Sequence, residues 1–268
     1  LNRGKIQREH LSVQCIKAYA DGALGSRGAL LLKPYSDDPG NRGMMLSDKK
    51  HFETLARRAD SAGWQLAVHA IGDSANRMII DLYRKVLKGK ENHRWRLEHA
   101  QMVHPADQYL ISSAGIIPSV QPTHATSDMY WAEDRVGEDR IRYAYAYQSL
   151  WRYAGILPLG TDFPVESINP LYTYRSAVYR QDESGYPPKG FIAAERLTVQ
   201  QTLRGMTTWA AYAEFAEDKK GMLVPGMWAD FIVMDKDITK LKVNEISSAS
   251  VLYTIIKGRL EYQRLNAE

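Results

Sequence analysis

The chain has 268 residues, 44% hydrophobic and 25% charged, with 35 basic and 31 acidic side chains and a formal charge of +4. At ~100–200 residues per domain that is one large domain, or one domain with an appendage, and a single cysteine, Cys15, excludes an internal disulfide framework. No apolar run approaches the ~20 residues that span a bilayer, and the pI of 9.0 comes without a Lys/Arg block or nucleic-acid motif, so neither membrane nor nucleic acid is an expected partner.

The opening stretch, LNRGKIQREHLS, has neither an initiator Met nor a signal-peptide apolar region. VQCIKAYA (13–20) then reads as a first strand. DKKHFETLARRADSAG (48–63) reads as a helix with Phe52, Leu55, Ala56 and Ala59 on one face and a stop at Gly63. QLAVHA (65–70) is a second strand, followed by a helix over 73–90 that is capped by Asp73 or Ser74 and ends at Gly89. WRLEHA (95–100) is a third strand, HPADQYLISSAG (104–115) a short helix with Pro105 in its first turn, and IIPSVQP (116–122) a fourth strand. A helix over 139–154 is closed by Gly155, and its Tyr143, Tyr145, Tyr147, Trp151 and Tyr153 read as packing residues. LPLGTDF (157–163) is the fifth strand candidate, and Thr198 caps a helix over 198–215. After it the texture changes: 221–241 and 250–263 read as strands and turns with no further helix.

Short, nearly continuous apolar strands alternating with amphipathic helices predict an α/β protein with a parallel sheet buried on both faces. The expected architecture is a partial TIM-type (β/α) barrel over residues 1–215, with residues 216–268 forming a β-strand segment of a small sandwich appendage. A closed barrel needs eight strands in ~250 residues. Five candidates and an abrupt start therefore lead us to expect that the amino-terminal part of a longer protein lies outside this chain.

Polar residues cap the strands: Lys17, His69, His99 and Asp162. At the carboxyl ends of parallel strands such groups face one mouth of a barrel. Imidazole and carboxylate suit zinc and related divalent ions, and a lysine joins them only when neutralised, for example as a carbamate. Each residue alone also reads structurally: a hydrogen-bonded histidine, a snorkelling lysine, an aspartate in a turn. Spacing leaves both readings open.

The segments IKAYADGALGSRGALLLKPYSD, VHAIGD, RLEHAQ, PSVQPTH, LGTDFPVE and GMLVPGMWADFIVMD resemble the carboxyl-terminal half of the amidohydrolase superfamily. More narrowly they resemble the amidohydrolase family 3 branch that includes N-substituted formamide deformylase-like proteins. The likeness runs from about Gln14 to Tyr262. It implies a metal-dependent hydrolase of amide-type C–N bonds, acting on N-acyl or N-formyl amine-like small molecules with one or two divalent ions, zinc being expected. It implies Lys17 as a carbamylated bridging ligand, His69 and His99 as ligands, and Asp162 as both ligand and proton shuttle.

Asp21, Ser26 and Arg27, in the loop after the lysine strand, are candidates to orient substrate, with loop architecture as the equal alternative. His124 is a candidate to donate to a substrate oxygen, with a surface-loop histidine as its alternative. His10, His51, His93 and His104 are expected to face solvent. One family feature is absent, since no two histidines here are separated by a single residue. The isolated chain is therefore expected to be inactive, with the amino-terminal half of the same protein or self-association covering the open sheet edge. A cytoplasmic setting suits the single cysteine. The competing class is a non-catalytic (β/α) scaffold with a degenerate metal site, serving binding or assembly.

Overall fold

The computed structural model describes residues 4–8 and 11–265, so His10 lies outside the described residues. The chain divides into two compact units: Leu1–Val120 with Asp128–Leu157, and Gln121–Ser127 with Pro158–Glu268.

The first unit begins with an antiparallel pair, β1 (Ile6–Arg8) and β2 (Leu11–Val13), which no hydrophobic alternation announces. Then βα alternation sets in. β3 (Cys15–Tyr19), β4 (Gln65–Ala70), β5 (Arg96–His99) and β6 (Ile117–Ser119) form one parallel sheet in the order β3-β4-β5-β6. Between them run α1 (Lys49–Ser61), α2 (Asp73–Val86) and α3 (Pro105–Ser113). One sheet face is apolar: Leu66, Val68 and Leu97 are fully buried with Ile79, Ile80 and Tyr83 of α2. The Tyr83 hydroxyl donates to the carbonyls of Leu66 and Arg96, 3.3 and 3.2 Å away, which fixes α2 across β4 and β5.

Helix starts follow local chemistry. Asp48 Oδ1 accepts the His51 N–H at 2.7 Å to cap α1, and His104 Nδ1 accepts the Ala106 N–H at 3.2 Å to cap α3. The cap of α2 is Gly72, one residue earlier than expected, with Asp73 already helical. The reason is tertiary, because the Leu30 carbonyl accepts the N–H groups of Ser74 and Ala75.

The expected helix over 139–154 is two helices, α6 (Glu138–Ile141) and α7 (Tyr147–Ala154), after α5 (Ala132–Val136). Between them Tyr145 is left-handed (φ 52°). Its N–H donates to the Gln101 carbonyl at 2.7 Å and its hydroxyl to Asp128 at 2.7 Å, contacts that pull the turn out of helical geometry. Tyr145 and Tyr147 are buried, in keeping with a packing role.

The second unit carries α4 (Pro122–Asp128) up to Ser127, then α8 (Pro170–Tyr179), α9 (Val199–Met206) and α10 (Thr208–Ala213). Thr198 caps α9 through a reciprocal box with Gln201. The expected single helix breaks at Thr207, where the Thr207 and Thr208 hydroxyls donate back to Leu203 and Arg204 carbonyls. The chain ends in an antiparallel sheet of β7 (Phe231–Met234), β8 (Val251–Ile256) and β9 (Arg259–Gln263). Leu171, Tyr174, Ile246 and Ala249 centre this unit's core.

The fifth strand candidate is corrected. Residues 157–163 form no strand beyond a single bridge at Leu159, and among the described residues the parallel sheet has four strands and stays open. Pro158 has no N–H to donate to a ladder, and the Leu159 N–H goes to the Gly205 carbonyl instead.

Candidate metal and hydrolytic site

Register builds the polar face of the sheet. In the parallel ladders Lys17 lies opposite Ala67, Tyr19 opposite His69, and His69 opposite Glu98. Residues opposite one another share a face, so Lys17, Tyr19, His69, Arg96 and Glu98 line the side away from α2. Arg96 Nε donates to Glu98 Oε1 at 2.6 Å, and Arg96 Nη1 to Gln65 Oε1 at 2.7 Å. In this pair Glu98 is buried and Arg96 half-buried. Lys17 is exposed, with its Nζ 5.2 Å from the Tyr19 ring centroid, and the Tyr19 ring is 5.3 Å from that of His69.

His99 departs from strand alternation, which would send its side chain to the opposite face from Glu98. Its backbone is left-handed (φ 72°), and Ala100 follows at φ 41°. The buried His99 ring lies 4.5 Å from the His69 ring at an interplanar angle of 69°. Two imidazoles from neighbouring strand ends, with a lysine on the same face, suit a borderline divalent ion in donor chemistry. Among the described residues, no three His, Cys, Asp or Glu side chains group closely enough to hold a metal. The first unit thus supplies two imidazoles and Lys17.

Asp21 is fully buried. Its Oδ2 accepts the N–H groups of Leu30 and Gly72, each at 2.8 Å, and its Oδ1 accepts the Ile71 N–H at 3.0 Å. Oδ1 also lies 3.6 Å from His69 Nε2. Burial pushes the Asp21 carboxyl up to about 6, against the opposing pull of those backbone donors. Arg27 pairs with Asp37 through two contacts of 3.0 and 2.9 Å, and the exposed Ser26 hydroxyl donates to the Ala23 carbonyl. Asp37 also receives Arg135, so this loop is tied to α5. Asp73 accepts the Leu32 N–H at 2.7 Å and the Tyr143 hydroxyl at 3.1 Å.

In the second unit His124 is buried on α4, with Nε2 3.8 Å from Asp162 Oδ2. Asp162 is itself left-handed (φ 59°). Sequence reasoning singled out neither Tyr19, whose signal was its period-two offset from Lys17, nor Asp73, which looked like a helix cap.

The sequence profile described as "Amidohydrolase family" matches residues 3–262. The chain belongs to the amidohydrolase family. It is 37% identical over 268 residues to the protein LONG AFTER FAR-RED 3 of Arabidopsis thaliana, covering 98% of this chain and 45% of that protein. It is 32% identical over 263 residues to YtcJ of Bacillus subtilis (strain 168), covering 97% and 49%. It is 25% identical over 222 residues to the N-substituted formamide deformylase of Arthrobacter pascens, covering 81% and 40%. The structure of an uncharacterised metal-dependent hydrolase from Pyrococcus horikoshii OT3 superposes with a TM-score of 0.81 at 32% identity, covering 90% of this chain and 48% of that one. This amidohydrolase chain therefore spans about half the length of the curated relatives it matches.

Family membership accounts for the α/β architecture. Among the described residues no helix is long and apolar enough to cross a membrane.

Proposed function

We propose that this amidohydrolase chain belongs to a metal-dependent hydrolase of amide-type C–N bonds, acting on small N-acyl or N-formyl amines. The observation that carries the reading is the pair of His69 and His99 rings, 4.5 Å apart at neighbouring strand ends. In this reading the four parallel strands are part of a (β/α) barrel, and residues 216–268 are part of a composite sandwich. His69 and His99 hold a divalent ion, zinc by donor type, with Lys17 joining as a carbamate whose oxygens replace the ammonium charge. Such an ion, when bound, polarises a carbonyl and acidifies water.

Asp162 takes a proton from water and returns it to the leaving amine. His124, 3.8 Å from Asp162, orients that carboxylate or donates to a substrate oxygen. Two imidazoles and a lysine leave the set incomplete, so the chain alone is proposed to be inactive. Its partners are then an amide substrate and the amino-terminal half of the same protein, or a second copy, in a cytoplasmic setting.

The test is metal analysis and an amidase assay of the whole protein with N-formyl and N-acyl amines. Lys17→Ala is expected to lower bound zinc and to abolish turnover. Full metal content and turnover in Lys17→Ala would refute the ligand assignment. The scaffold alternative is favoured by the lack of a three-residue His/Cys/Asp/Glu group among the described residues. It predicts a whole protein that neither retains metal nor hydrolyses any of these amides.

A further inference from the structure

Asp21 follows the lysine strand by two residues, yet its side chain is 0% exposed. A substrate contact needs access that this carboxylate lacks. Oδ2 is held by the N–H groups of Leu30 and Gly72, and Oδ1 by that of Ile71. Three backbone donors on two separate segments, Leu30 on one and Ile71 with Gly72 on the other, fix both the position and the plane of the carboxylate. A carboxylate offers about four acceptor directions, and Oδ1 has His69 Nε2 3.6 Å away. That separation is an electrostatic approach, longer than a hydrogen bond.

An ionised carboxylate only accepts, so it favours the proton of a neutral imidazole on the nitrogen that faces it. The Tyr19 and His99 rings, with centroids 5.3 and 4.5 Å from that of His69, limit how far the ring can turn. We propose that Asp21 is a positioning residue that holds His69 as the Nε2–H tautomer and so makes Nδ1 the lone-pair nitrogen. Which ring nitrogen can act as a ligand is set by what the other one meets. The consequence for metal binding rests on the reading of His69 as a ligand, while the tautomer itself does not.

Asp21→Asn tests the idea because it removes one acceptor without changing shape. The amide oxygen is best placed at the Oδ2 position, where it meets two N–H donors. The amide NH2 then faces His69 Nε2 and donates to it, driving the ring proton to Nδ1. The opposite flip sets the NH2 against two N–H donors and is worse. An Asp→Asn exchange beside a histidine is known to install the wrong tautomer in the serine-protease triad.

The experiment is heteronuclear NMR of isotope-labelled histidines in the metal-free 268-residue chain, in alkaline buffer where imidazole is neutral. The expected result is Nε2–H at His69 in the wild type and Nδ1–H in Asp21→Asn. Nδ1–H or an averaged tautomer in the wild type overturns the proposal, as does an unchanged tautomer in a folded Asp21→Asn. If Asp21→Asn does not fold, the wild-type tautomer decides. In the whole protein Asp21→Asn is expected to weaken zinc affinity by ~10- to 100-fold. A tautomer switch without zinc uptake in the wild type would keep this inference and remove the hydrolase reading. Zinc uptake without a switch would do the reverse.

Discussion

Replacing Gly72 by alanine adds a single methyl group at a backbone conformation any residue adopts (φ −71°, ψ 152°). The backbone is therefore not strained by the exchange, and all of its effect comes from what the methyl meets. The new Cβ would lie 2.0 Å from the Leu30 carbonyl oxygen, 2.5 Å from its carbon and 2.7 Å from the Leu30 nitrogen. These are backbone atoms, so no side-chain rotation relieves the clash, and the Leu30 peptide must move. Its carbonyl accepts Ser74 and Ala75 at the start of α2, and its N–H donates to Asp21. Losing the bond to a charged acceptor costs about 1.5–3 kcal/mol, and the two shared backbone bonds together add about 1 kcal/mol or more. The sum, about 2.5–4 kcal/mol, is a large part of a typical stability of about 5–15 kcal/mol. Urea unfolding of the chain measures it directly. Gly40→Ala, whose added Cβ meets nothing within 4 Å, is the control and is expected to stay within about 0.5 kcal/mol of the wild type. A Gly72→Ala midpoint indistinguishable from that of Gly40→Ala would refute the claim that Leu30, Asp21 and α2 are locked together.

His93 links β5 to the end of α3 as a neutral ring: Nδ1 accepts the Trp95 N–H at 3.0 Å and Nε2 donates to the Ala114 carbonyl at 2.8 Å. Burial holds its pKa below 6.5, so the unfolded chain binds more protons than the folded one as pH falls below that value. Stability present above pH 6.5 is expected to drop on acidification through the folded pKa, and His93→Gln to remove His93's share of that slope in urea titrations across pH. Thr198→Ala removes the hydroxyl that accepts the Gln201 N–H at 3.1 Å and is expected to cost about 1 kcal/mol, with Thr198→Ser recovering most of it in the same assay. Tyr143→Phe takes a donor from the buried Asp73 carboxylate, and thermal or urea unfolding should register a loss of about 1.5–3 kcal/mol.

The parallel strands were readable because β4 to β6 are short and mostly buried, and residues 65–70 coincide with β4. The strand-end histidines followed from the same pattern. What could not be read depends on distant partners. Asp21 draws its donors from positions 9, 50 and 51 residues away, which no local motif encodes. Residues 157–163 carried the apolar texture of a strand, but the Leu159 N–H is spent on Gly205 rather than on a ladder. His93 looked like a loop residue and is instead half-buried, because both its ring nitrogens meet backbone groups. Composition sees the polarity of a side chain and misses the peptide that satisfies it.

The left-handed backbone at His99 decides where its ring lies. A histidine at φ 72°, followed by an alanine at φ 41°, occupies a region that costs about 1–3 kcal/mol per residue and persists only where its surroundings impose it. The surroundings here do so. Asn76 is fully buried, and its Nδ2 lies 3.0–3.2 Å from the carbonyls of Ala70, Ile71, Gly72 and Met102, which tie the end of β4 to the segment just past His99. The Met102 N–H adds a bond to the Ile71 carbonyl at 2.9 Å. A packing histidine would gain nothing from this conformation, because continued alternation would have left its ring on the apolar face. Bringing the ring beside His69 requires the turn, and the bonds around Asn76 hold it there. Asp162 carries the same backbone sign (φ 59°) at its own position. The chain therefore accepts unfavourable backbone at two of the four residues that the family resemblance nominates, His99 and Asp162.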